Sequence, residues 1–568
     1  MNYIWKIKEK PDESIIHKLI SELNIPRSLA IILATRGIKN QIDSKKFFQP
    51  SLDDLHNPFL MDGMDIAVER ILIAIKKNEF IWIHGDYDVY GTASTSLILE
   101  FLREIGGEAG YCIPDRFKDG YGLSHSSVDE AYHKGAKILI TVDLGITSIE
   151  AIQYANKFGI DVIVCDHHEP ALTLPPALAI LDPIKPGCKY PFKNLAACGV
   201  VFKLVQAIAQ KLNKPEMAYS YLDYVAIASA ADMVPIISEN RTISYFGLNI
   251  INENPRPGIK GLIECTNLKF GTITASGIIY SLAPLINVSG RLGNAGRAVD
   301  MMTQKNELTA FRIAQELERE NRRRRVLDEQ TFEEVIPIAE KYLENGERRS
   351  LVIHDPNWHA GVIGIVASRI AERYRIPSII LTSFDNYAKG SARSTINFDL
   401  HSTLKHCSKW LKEFGGHKFA AGLSLEVDLV PAFRECFDSV ARQNISDEML
   451  NPEITIDGEL DLSELSPDFL AVLQKFAPFG FDNYKPVFIT HNVTSANGIR
   501  IVGNNHLKFR ALQSNFIIDA IGYNLGNKYN ICASRKPFSI VYTIEESIIV
   551  GHPNIQLRIR DIRQEKLK

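Results

Sequence analysis

Between residues 80 and 235, short apolar runs alternate with stretches whose apolar positions recur every three to four residues. Residues 80–84, 138–142 and 161–165 read as strands. Residues 92–105, closed by Gly106 and Gly107, and residues 148–158 read as helices. Strand and helix at this spacing predict a parallel sheet with helices on its faces, where ligands sit beyond the carboxyl ends of the strands. The flanking pattern differs. Residues 1–75 read as helices with short breaks and a loop at 50–58, and residues 239–346 as a helical connector. Within the connector, Phe311, Ala314 and Leu317 share one face, and Pro337 is predicted to kink or divide the helix. Strand and helix alternate again over 347–447, a second and smaller α/β domain. Residues 448–568 carry five short strands separated by Asn/Gly turns, the pattern of a small β-barrel. The parallel-sheet domain is thereby bounded at 76–238.

A length of 568 residues suits about four domains. With 45% hydrophobic and 23% charged residues, the chain is neither disordered nor fibrous. No apolar run is long enough to cross a bilayer, so no membrane association is expected, and the first ten residues do not resemble a signal peptide. Eight cysteines lie singly with no Cys-x-x-Cys pair, which argues against a cysteine zinc site and for reduced thiols in the cytoplasm. The net charge of −3 conceals an asymmetry. From residue 481 onward twelve Lys/Arg face six Asp/Glu, a balance of +6, so the rest carries −9. A basic C-terminal module beside an acidic body fits a polyanion-binding unit attached to one that holds cations, or a chance excess on a solvated surface.

The chemistry lies at the strand ends. The first strand runs into His84, Asp86, Asp88 and Tyr90, the second into Asp143, the third into Asp166, His167 and His168. Asp232 ends another buried segment. A lone Asp-His-His is as readily a turn or a helix cap. Together, however, these residues gather carboxylates and imidazoles on one side of one sheet, a costly arrangement unless cations neutralise it. Oxygen and imidazole donors without thiolate suit manganese or magnesium, and two such ions support phosphodiester hydrolysis.

These segments resemble the DHH phosphoesterase superfamily, and within it the RecJ exonucleases, over nearly the whole chain. Residues 86–91 resemble the first motif, Asp143 the second, Asp166-His167-His168 the third, and Ala231-Asp232 the fourth. Residues 415–422, 358–369 and 390–394 resemble the DHH-associated domain, and the barrel an OB-fold. The resemblance implies two divalent ions, Mn2+ or Mg2+, held by His84, Asp86, Asp88, Asp143, His167 and Asp232, with Asp143 bridging. It implies that His168 faces the scissile phosphate, and that Arg116, Arg291, Arg393, Ser394 and His417 contact the substrate. It further implies 5′→3′ degradation of single-stranded DNA to 5′-mononucleotides in repair and recombination, beside a helicase and a single-strand-binding protein.

One position departs from the family. The first motif ordinarily ends Asp-x-Asp-Gly, and here Tyr90 stands at the last Asp. A phenol of ordinary pKa about 10 is a poor ligand for a hard ion unless the metal deprotonates it, so a weakened second site is expected. Two alternatives remain open at this point: a catalytically impaired DNA-binding scaffold and a small-molecule phosphoesterase. The arginines at 322–325 read as a solvated helix amid acidic neighbours. In the barrel, Lys508 and Arg510 share one strand face while Phe509 points into the core, placing two cations where a phosphate chain can run.

Overall fold

Ile81–Gly85 and Ile138–Val142 are buried at every position, which is why they read as unbroken apolar runs: a strand covered on both faces shows no polar alternation. They are two of the three inner strands of an all-parallel sheet in a computed structural model of the chain, which describes residues 3–115, 122–395, 398–549 and 552–565. The strand order is Ala109–Cys112, Ile81–Gly85, Ile138–Val142, Asp161–Cys165, Ala179–Leu181. The first strand of this sheet in chain order, Ile81–Gly85, thus lies between the second and the third. The order reverses there, and ligands of doubly wound sheets bind at that switch point. Ala109–Cys112 escaped the sequence reading because Gly110 and three half-buried positions interrupt its apolar character.

Two compact units divide the chain. The first comprises residues 5–283, 296–311 and 454–568, the second 1–4, 284–295 and 312–453. In the first unit, the helices Glu13–Leu23 and Arg27–Thr35 send Ile16, Leu19, Leu29 and Leu33 into one core with the barrel residues Phe469, Phe488, Phe509 and Tyr542. The amino-terminal region is not wholly helical, because Ile4–Ile7 is a strand. The barrel closes as a ring. Val487–Val502 pairs antiparallel with both His506–Gln513 and Phe538–Ile549, while Phe516–Gly522 runs parallel to His552–Gln564. Arg241 fastens this module to the rest of its unit. Its buried guanidinium donates to the carbonyls of Phe47, Phe476 and Ala477 and lies 3.9 Å from the Phe47 ring centroid. Burial, with Arg36 nearby, lowers its pKa to about 9.

A buried ion pair braces the helices under the sheet. The fully buried Lys203 ammonium lies 2.6 Å from Glu239 Oε1 and donates to Gln206 Oε1 and the His56 carbonyl, both at 3.0 Å. Glu239 Oε2 accepts from Tyr190 Oη at 2.6 Å. Burial depresses the lysine, and Glu239 partly restores it. Glu239→Gln strands a buried cation, and urea unfolding of the variant is expected to show a loss of about 3–5 kcal/mol.

The helix Glu307–Leu343, which enters the second unit at residue 312, runs unbroken through Pro337, against the sequence expectation. Val335 and Ala339, on either side of the proline, are buried in one cluster with Trp358, Val366 and Ile370, and this packing outweighs the lost hydrogen bond. Strands Leu351–His354 and Ser378–Phe384 pair in parallel, and the sheet continues antiparallel through Tyr387–Arg393, Ala420–Glu426 and Glu413–Gly416.

Candidate metal centre

The sheet ladder runs one residue past its strands. Asp143 N donates to the Cys165 carbonyl and Asp166 N to the Leu181 carbonyl, each at 3.0 Å, so both residues stand at the carboxyl end of the sheet. Asp143 is 2% exposed and holds φ +66°, a left-handed backbone that Asp and Asn tolerate better than most residues. Asp88 caps the helix Val89–Glu104: its Oδ1 accepts from Tyr90 N at 2.9 Å and Gly91 N at 3.1 Å, leaving the other oxygen for a ligand. Gly91 is required there, since a Cβ would sit 2.4 Å from the Asp86 carbonyl oxygen.

Two donor clusters share one residue. Asp86, Asp88 and Asp143 offer atoms within 4.8 Å of one another, and so do Asp143, His167 and His168. His167 Nε2 lies 3.4 Å from Asp143 Oδ1 and 3.6 Å from Asp232 Oδ2, which brings Asp232 to the second cluster. Both of those carboxylate oxygens are buried with no hydrogen-bond partner among the described residues. His84 is fully buried on the strand leading to Asp86. Asp232 ends the helix Leu222–Ala231 and not a strand. That helix is buried on every face and mostly apolar, so its residues gave no helical period to read.

Burial, then mutual repulsion, sets the charges. Burial and Asp86 push Asp88 up to about 7. Burial raises Asp232 to about 6, and burial together with Asp88 and Asp86 raises Asp143 well above the usual carboxylate range. Asp166 differs from these, because its oxygens are already occupied. They accept from Ile146 N, His167 N, His168 N and His168 Nδ1, so it organises the two imidazoles. Burial alone would lower His168, but the 2.7 Å bond to Asp166 prevails and raises it to about 9. Asp182, absent from the sequence reading, follows the short strand Ala179–Leu181 as Asp143 follows its own. Burial pushes its carboxyl to about 7, and Oδ2 is buried without a hydrogen-bond partner among the described residues. A three-residue strand was too short to mark it.

The remaining sequence-derived candidates are not among these donors. Arg116 falls outside the described residues. Arg291 donates to the Gly361 carbonyl at 3.3 Å, and Arg393 to Ser391 Oγ at 2.8 Å, both in the second unit. Ser394 Oγ donates to the Phe398 carbonyl at 2.9 Å and so closes its own loop. His417 is exposed in the turn between Glu413–Gly416 and Ala420–Glu426. On the barrel, Arg510 is exposed and Lys508 half-buried on one strand face, while Phe509, at 1% exposure, enters the core.

Carboxylate oxygens and imidazole within this span, two of the oxygens lacking hydrogen bonds among the described residues, match the donors that hard divalent cations bind at about 2.0–2.6 Å. Known proteins give the same direction. Family models match at residues 80–229 (DHH family, N-terminal domain), 347–443 (DHHA1 domain) and 456–561 (RecJ OB domain). The chain is 33% identical to the single-stranded-DNA-specific exonuclease RecJ of Bacillus subtilis, over 98% of this chain and 70% of that protein. It is 31% identical to the Escherichia coli protein of the same name, over 95% of this chain and 96% of that one. A crystal structure of Thermus thermophilus RecJ with Mn2+ is similar across all of this chain and 80% of that one, with TM-score 0.86 and 26% identity.

Proposed function

Because the chain belongs to the RecJ family of single-stranded-DNA-specific exonucleases, we propose that it is a metal-dependent exonuclease that degrades single-stranded DNA 5′→3′ to 5′-mononucleotides. The proposal places it in cytoplasmic DNA repair and recombination, working beside a helicase and a single-strand-binding protein. The observation that carries the catalytic reading is Asp143, shared by two donor clusters at the switch point of the sheet.

His84, Asp86, Asp88 and Asp143 would hold one ion; Asp143, His167 and Asp232 would hold the other. Bound there, Mn2+ or Mg2+ supplies Lewis-acid neutralisation of the charge that develops on a phosphodiester. The chain's own groups do the rest. Asp166 keeps His168 protonated at neutral pH through its Nδ1, so the imidazolium would supply positive charge toward a phosphate oxygen. The second unit's Arg291, Arg393, Ser394 and His417, with Arg116, would hold the DNA end, and Lys508 and Arg510 of the barrel would hold phosphates farther along.

Tyr90 supports a second reading, a DNA-binding scaffold with impaired catalysis. Labelled single-stranded DNA with manganese, set against duplex DNA and a small phosphoester, separates the readings. Digestion of the single strand alone supports the nuclease, and retention without cutting supports the scaffold. Cleavage of only the small ester overturns both.

Metal binding is expected to strengthen as pH rises. With Asp88 raised to about 7 and Asp232 to about 6 by burial, the metal-free site holds protons that an ion must displace. For folding the sign is the reverse of an ordinary carboxylate's: these groups favour the metal-free fold fully below about 4 and lose that contribution as pH passes 6–7. Calorimetric titration with Mn2+ at pH 5.5 and 7.5 should give weaker binding and greater proton release at the lower pH. Equal affinity at both would contradict it.

A further inference from the structure

The turn between the helix Pro467–Gln474 and the strand Val487–Val502 is heavily braced for a surface loop. Gly480 and Asn483 exchange two backbone hydrogen bonds of 3.1 Å, with Asp482 between them at φ +57°. Asn483 is 1% exposed, and its Nδ2 donates to the carbonyls of Phe476 at 2.9 Å and Pro478 at 2.7 Å. Arg36 donates to Asn483 Oδ1 and to the Tyr484 carbonyl, and Arg241 grips the carbonyls of residues 475–477. Ordering costs entropy, so a loop fixed this firmly should present something. It presents two rings. Phe481 is 37% exposed and Tyr484 57%, with centroids 6.0 Å apart and planes at 82°.

The turn is tied directly to the metal centre's own segment. Ile236 N donates to the Phe481 carbonyl at 2.8 Å, and Ile236 follows Asp232 by four residues. Four residues reach at most about 14 Å, the length of about four stacked nucleotides. Met233 and Ile237, on the same segment, are also exposed, at 58% and 42%.

We infer that Phe481 and Tyr484 form a stacking platform for unpaired nucleobases a few nucleotides from the Asp143 centre. Unpaired bases are the fitting occupant, because the turn is tied to the segment only four residues beyond Asp232, and aromatic faces take any base without reading sequence. The inference rests on the single-strand reading above and adds a subsite to it. The bonds from Ile236 and Arg36 use only the carbonyls of Phe481 and Tyr484, so alanine leaves them in place. The phenol of Tyr484 also bonds the Asp482 backbone, and Tyr484→Phe, which removes that bond but keeps the ring, separates its loss from the loss of stacking.

The test uses the full-length protein without divalent metal, so that no cutting occurs. Single-stranded oligonucleotides carry one 2-aminopurine, moved stepwise from the 5′ end. With the wild-type protein, fluorescence at one or two adjacent positions is expected to be quenched by stacking. Phe481→Ala with Tyr484→Ala should abolish that quench and weaken binding roughly 5- to 100-fold, each single alanine should relieve part of it, and Tyr484→Phe should keep it. If the wild type binds and quenches while the alanine variants do the same, the platform is wrong and the nuclease reading stands. If the wild type binds no single-stranded DNA, the underlying reading fails. A platform built for another protein's apolar side chain would give binding with no position-specific quench, which also overturns the inference.

Discussion

Asp143→Asn is expected to lower metal-dependent hydrolysis of single-stranded DNA by at least about 10³-fold, because one substitution removes the carboxylate common to both donor clusters. The choice of Asn makes the result interpretable. Asp143 sits at φ +66°, and Asn is among the few side chains that accept that backbone without large strain, so the loss reports charge and not a collapsed turn. A thermal comparison completes the argument. Burial and the neighbouring carboxylates penalise the ionised Asp143 in the metal-free protein, so the variant's metal-free midpoint should equal or exceed that of the parent. The rise on adding Mn2+ should shrink, since a ligand stabilises only as far as it binds the folded state. Retained activity would remove Asp143 from the centre. A lowered metal-free midpoint would instead mean that it supports the fold.

The second large effect runs the other way. Tyr90→Asp is expected to raise manganese-dependent nuclease activity roughly tenfold or more and to reduce the manganese needed for half-maximal rate. Position 90 is the second residue of the helix Val89–Glu104, and its N–H already points at Asp88 Oδ1. A carboxylate there would gain from the partial positive charge of the helix start and would be ionised at neutral pH, as a phenol is not. Unchanged activity would show that this position supplies no ligand. Rescue from no measurable activity would show that the natural tyrosine silences the centre and would favour the scaffold reading.

The parallel-sheet domain was legible because its buried strands carry uninterrupted apolar runs, and because Asp88, Asp143 and His167 each follow such a run or the turn after it. Legibility failed where the signal was local and weak. Ala109–Cys112 and Ala179–Leu181 are three or four residues long, and with the second went Asp182. The strand Val487–Val502 is sixteen residues long although the barrel was read as short strands, because its distal half, from Asn492 onward, is largely polar and solvent-facing. Pro337 misled because a local rule was outweighed by packing that no window around it contains. The turn that presents Phe481 and Tyr484 was invisible for a related reason: its braces come from Arg36 and Arg241, more than 200 residues away along the chain.

The core shared by the first helices and the barrel bears on how the chain is made. Leu29 and Leu33 pack in the same cluster as Phe469 and Phe488, which are synthesised more than 400 residues later. At about 5–20 residues per second, those early apolar faces wait roughly 20–90 s for their partners. During that interval the nascent protein must shield them by transient contacts of its own or by a chaperone, so growth temperature and translation speed should govern its yield more strongly than the stability of the finished enzyme does.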